Sequence, residues 1–104
     1  MAVRLIALYN QPQDPTDFDA HYRDVHAPIV RRYPGLRELR LTSPISMGSR
    51  HPRFHLMAEM FFDSRADLDA AMASDAGAES GRDLATFAQA GVVLFIAEDG
   101  VTDA

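Results

Sequence analysis

Tyr22 and His26 are the two residues of this chain best suited to proton chemistry. They lie four apart in TDFDAHYRDVHAPIVRRYPGL, residues 16–36, where Phe18, Tyr22, Val25, Ile29 and Val30 recur at three- and four-residue spacing. That period predicts one amphipathic helix. On a regular helix two such positions sit about 40° apart, so both side chains share a face. A neutral imidazole can take a proton from an activated carbon or hydroxyl, and a tyrosine can polarise a carbonyl. One reading makes His26 the base and Tyr22 the electrophile. The other has His26 bonding the backbone at a helix break, with Tyr22 as packing. The break is expected because Pro28 has no N–H for the Asp24 carbonyl, so the helix kinks or restarts there.

The remaining candidates are weaker. His21 lies about 140° from His26 around a regular helix, which argues against shared chelation and reads as a solvated or cap-proximal side chain. His55 and Glu59 fall on one face of a strand pattern and could form a polar wall of a cavity; the alternative is an ion pair between Glu59 and Arg4. Tyr9 ends the first strand and could cap a pocket mouth or simply reach water. His51 and His55 are separated by Pro52 and by about 13 Å of strand, so they are no ligand pair. With no cysteine and no His-x-x-x-His on a helix, no metal set is expected. Phosphate-binding loops and nucleophile elbows are absent, so no cofactor is expected either.

These residues need a scaffold, and 104 residues with 47% apolar side chains suffice for one domain. The net charge of −5 argues against nucleic acid as a partner. No apolar run approaches the roughly 20 residues of a membrane span, and the N-terminus lacks signal-peptide features, so a cytoplasmic protein is expected.

The elements follow in order. Val3–Tyr9 reads as a strand with Val3, Leu5, Ala7 and Tyr9 on one face and Arg4, Ile6 and Leu8 on the other. The first helix opens at Thr16 with Asp19 completing a cap. Strands follow at Leu36–Ser43 and Phe54–Phe62. Ser64 and Asp67 open a second helix with Leu68, Ala71 and Met72 inward, and Ser74–Gly81 reads as a break. Ser80 and Asp83 then cap a short third helix. Val92–Ala97 is the last strand, and Glu98–Ala104 reads as an acidic tail. The order is βαββαβ: an α+β, ferredoxin-like, antiparallel four-stranded sheet with helices on one face. The bare face, apolar but dotted with charge, predicts a homodimer packed sheet on sheet.

FDAHYRDVHAPIVRRYPGL, HLMAEMFFDSRADLDAAMAS and GRDLATFAQAGVVLFIAED resemble the EthD family over roughly Val3 to Glu98. The most specific matches are Tyr22-x-x-x-His26-x-Pro28, the Pro34-Gly35-Leu36 turn and Asp83-Leu84-x-x-Phe87. The resemblance implies a small dimeric α+β barrel protein from a family first associated with ethyl tert-butyl ether degradation. It implies a small hydrophobic or aromatic metabolite as partner, with cofactor-independent lyase, dehydratase or cyclase chemistry as one outcome. A non-catalytic accessory protein of an oxygenase system and a cofactor-free or haem-linked monooxygenase are the others.

Overall fold

The computed structural model describes residues 1–100. Four strands, β1 (Val3–Asn10), β2 (Glu38–Thr42), β3 (Phe54–Phe62) and β4 (Val92–Glu98), form one antiparallel sheet in the order β2-β3-β1-β4. Residues 101–104, the end of the expected tail, lie outside the described residues; Glu98 itself belongs to β4. Helices α1 (Pro15–His21), α2 (Ala27–Val30), α3 (Arg65–Met72) and α4 (Asp75–Phe87) complete the chain. This is the ferredoxin-like α+β arrangement expected from the βαββαβ order. The molecule is only 17 Å deep along its shortest axis, the depth of one helical layer on one sheet.

The alternation of β1 and β3 sets the layers. Val3, Ala7 and Tyr9 face the helices with Ala58, Met60 and Phe62, and join Phe18, Tyr22, Val30, Leu68 and Ala71 in the core. The opposite face carries Arg4, Ile6 and Leu8, paired in register with Phe61, Glu59 and Met57 of β3 and with Ala97, Phe95 and Val93 of β4. Strand β4 lies at the sheet edge, and its residues Val93, Leu94, Phe95 and Ile96 are 37–50% exposed, on both faces.

Four local expectations are corrected. The cap of α1 is Asp14, whose Oδ1 accepts from the Asp17 N–H at 3.1 Å, with Pro15 in the first turn where its missing N–H costs nothing. Thr16 is therefore already helical. Residues 74–87 hold no break: Ser74 caps the 13-residue α4 by accepting from the Gly77 N–H. Ser80 sits inside that helix, donating to the Gly77 carbonyl and sharing a hydrogen bond with the Tyr33 hydroxyl. Gly77 permits the joint, because a Cβ there would collide with the Ala71 and Met72 carbonyl oxygens at the end of α3. Ser64 caps α3 as expected, but Met72 is exposed rather than inward.

The fourth correction concerns His55. The pairing of β1 with β3 slips between Tyr9, opposite Leu56, and Asn10, opposite Phe54, leaving His55 as the extra residue of a bulge. Its ring turns to the helix side, where Nε2 meets Asp19 Oδ1 at 2.7 Å and the ring edge meets Phe18 at 5.3 Å. His55 and Glu59 do not share a face. Glu59 lies on the back of the sheet, where its Oε2 accepts from Arg4 Nη1 at 3.2 Å.

Candidate functional site

Between α1 and α2 the helix takes one wide turn, Tyr22–His26, in which the Ala27 N–H reaches back five residues to the Tyr22 carbonyl. Pro28 supplies the cause, since it cannot donate to the Asp24 carbonyl in the regular pattern. The consequence is rotational. Residues five apart diverge on an α-helix but are brought toward one side by a turn that closes at five. His21 and His26 therefore face the same neighbour, Asp83 of α4.

Asp83 receives both rings. His26 Nδ1 lies 2.9 Å from Asp83 Oδ2, and His21 Nε2 lies 2.8 Å from Oδ1 and 3.0 Å from Oδ2. Burial pushes the Asp83 carboxyl up, but the hydrogen bonds from His26 and His21 outweigh it and hold the group below the usual carboxylate range. Burial pushes His26 down, against the upward pull of Asp83, and the net direction is down. At neutral pH the carboxylate is charged and His26 is neutral. An ionised carboxylate only accepts, so His26 must carry its proton on Nδ1 and its lone pair on Nε2. Among the described residues, Nε2 has no hydrogen-bond partner.

Aromatic rings enclose this group. Phe87, the last residue of α4, lies 4.8 Å from both His21 and His26, and the Tyr22 ring lies 5.2 Å from His26. Tyr9 approaches Tyr22 edge-on at 5.7 Å. Tyr9 and Tyr22 are 2% and 3% exposed, yet neither hydroxyl bonds to a protein group among the described residues. Burial raises both hydroxyls, keeping them protonated as donors. Two openings flank the cluster. An open cleft of about 770 Å³ is lined by Phe18, His21, Phe87, Asp17 and Gln13. A smaller pocket of about 190 Å³ lies between the first helical stretch and strands β2 and β3, lined by Tyr22, Ala27, Arg31, Leu41 and Leu56, with Asp19 and Arg23 also in its wall.

The structure thus joins His26, Tyr22 and Tyr9 and separates Glu59 from them, while His55 stands beside Asp19 and Phe18. Sequence reasoning missed Asp83, assigned to a cap, and His21, assigned to solvent. The signal for His21 was Pro28: an interrupted helix voids the 140° separation that set His21 aside. His21, His26 and Asp83 meet through N–H···O contacts, and no cluster with metal-holding geometry occurs among the described residues.

The described residues form a ferredoxin-like α+β fold with a buried histidine–aspartate group between its helices. The chain belongs to the EthD family, whose EthD domain model matches residues 10–91. It is 31% identical over 96 residues to an uncharacterised 11.0 kDa protein of the thcB–thcC intergenic region of Rhodococcus erythropolis, covering 92% of this chain and 93% of that one. An EthD family protein from Bacillus halodurans is 42% identical, with a TM-score of 0.90 over 96% of this chain and all (100%) of that one. A dimeric ferredoxin-like protein from Thermobifida fusca shares the fold, with a TM-score of 0.71 at 13% identity, over 93% of this chain and 90% of that one.

Proposed function

We propose that this protein binds a small hydrophobic or aromatic carbonyl compound and that His26 removes a proton from the carbon beside its carbonyl. The observation that carries this reading is the 2.9 Å contact between His26 Nδ1 and Asp83 Oδ2, which fixes a neutral imidazole with an unpartnered Nε2. In the step itself the substrate C–H bond breaks and a new N–H bond forms at Nε2. The electron pair passes to the carbonyl oxygen as an enolate, which the Tyr22 hydroxyl meets by hydrogen bonding. Asp83 stabilises the imidazolium that results. In a dehydration the enolate pair expels a β-hydroxyl, which leaves as water with the proton from Nε2, and His26 is neutral again. Tyr9 supplies a second donor at the same place.

The working unit of this reading is a homodimer through the sheet. The back of the sheet is partly open, with Phe95 43% exposed although Ile6 beside it is only 7% exposed, and a fold relative is described as dimeric. A second sheet would cover that face and exclude water from the Arg4–Glu59 pair.

The test is exchange of the α-protons of a panel of aromatic ketones in heavy water, followed by NMR. The wild type should exchange at least one of them, and His26→Ala should lower the rate by about 10²-fold or more. Ketone binding in both proteins with no exchange in either would leave a binding protein and remove the catalytic reading.

A further inference from the structure

The pocket of about 190 Å³ shares Tyr22 with the proton-transfer reading and adds Arg31, Leu41 and Leu56, which that reading does not use. Its floor is apolar: Leu41 of β2, Leu56 of β3 and Ala27 of α2. Its one deeply buried polar side chain is Tyr22, 3% exposed, whose hydroxyl has no protein partner among the described residues. The hydroxyl oxygen itself is not sealed off, since Arg4 Nε is the one fully buried polar side-chain atom without a partner among the described residues, so a ligand oxygen can reach it.

Charge decides which oxygen. Two arginines and one aspartate lie in the wall. Arg23 is committed, with Nε and Nη2 on the two oxygens of Asp24 at 2.9 and 3.1 Å. Asp19 turns Oδ1 to His55 Nε2 at 2.7 Å. Arg31 follows α2, is exposed, and makes no salt bridge among the described residues. Arg31 and Tyr22 line the same pocket, and the Arg31 charge opposes the upward push that burial and Tyr33 give the Tyr22 hydroxyl. A free guanidinium and an unpartnered hydroxyl over an apolar floor suit an anionic oxygen carried on a small hydrocarbon body.

We propose that this pocket binds small apolar carboxylates, with Arg31 pairing the carboxylate, Tyr22 donating to it, and Leu41 and Leu56 holding the hydrocarbon portion. The volume suits a single ring or a short branched chain rather than a fused polycycle. The inference rests on the reading above for its catalytic meaning, since it makes the carbonyl substrate an acid; as a binding site it stands without that chemistry.

Benzoate and its neutral isostere benzamide separate the terms. Binding is followed by calorimetry and by the methyl resonances of Leu41 and Leu56 in the full-length protein. Benzoate should bind at least tenfold more tightly than benzamide and shift both leucines. Arg31→Gln, at an exposed position that leaves the core intact, should erase that preference. Tyr22→Phe should weaken both ligands severalfold, and a thermal melt checks that it folds. Equal affinity for the two ligands, an unchanged preference in Arg31→Gln, or no leucine shift at millimolar ligand would each overturn the site. None of these measurements needs turnover. Arg31-dependent benzoate binding without His26-dependent exchange would remove only the chemistry, and ketone exchange without benzoate binding would remove only this pocket.

Discussion

His21 and His26 meet one carboxylate from positions five residues apart: His21 Nε2 lies 2.8 Å and His26 Nδ1 2.9 Å from the oxygens of Asp83. The arrangement is asymmetric. His26 is buried among aromatic rings, while the His21 side chain keeps 31% of its surface and lines the open cleft. Asp83 is anchored from the outside by one ring and orients the other on the inside.

Replacing the carboxylate should therefore damage both rings at once. Asp83→Asn leaves one acceptor oxygen and an amide that donates where both histidines also donate. It should cost about 1.5–3 kcal/mol, the range for hydrogen bonds to a charged group, measured by urea denaturation. The α-proton exchange attributed to His26 should fall by about 10²-fold in the same variant, read by NMR in heavy water.

Pro28 is predicted to govern the alignment of the two histidines. Pro28→Ala restores a donor for the Asp24 carbonyl and permits a regular helical turn, which carries His21 away from Asp83. The NMR contacts of the His21 ring with Phe87 should then disappear while those of His26 remain. Wild-type contacts retained in Pro28→Ala would mean that the wide turn is set by packing against α4 instead.

The back of the sheet carries its own prediction. Val93→Asp or Phe95→Asp, at positions 40% and 43% exposed, places a charge where the proposed partner sheet would desolvate it, at a cost on the order of several kcal/mol. Light scattering at micromolar concentration should show a dimer for the wild type and a monomer for either variant. A wild-type monomer, or variant dimers of undiminished affinity, would contradict the sheet-on-sheet assembly.

Stability should fall in acid in two stages. Burial holds His26 below its ordinary 6.5, so the unfolded chain protonates first. Its contribution is complete above about 6.5 and declines as pH falls through that value toward the lower folded one. Asp83 is held below its ordinary 3.8, so its contribution persists above 3.8 and is lost as pH falls through its folded value. Thermal melts of wild type and His26→Gln between pH 7.5 and 5 should converge as pH falls, the wild type losing more.

The fold was legible because β1 and β3 carry two-residue alternation and because Ser64 and the Pro34-Gly35 turn punctuate the chain. Phe54–Phe62 was bounded to the residue. What escaped is local and has local causes. The bulge at His55 inverts the parity on which the shared face with Glu59 depended. Gly77 allows two helices to abut where a run of small residues suggested a break. Of the site, Tyr22, His26 and Tyr9 were visible from type and spacing. Asp83 was not, because its partners lie 57 and 62 residues away and nothing in the local pattern marks a carboxylate as shared.

The proposed chemistry turns on the protonation of the His26 ring, and nitrogen-15 NMR of the histidine side chains across about pH 5–8 reads it directly. At pH 8 His26 should appear as the neutral tautomer with its proton on Nδ1, and its titration midpoint should lie below 6.5. A proton on Nε2, or a midpoint above the ordinary histidine value, would remove the free base on which the proposed chemistry depends.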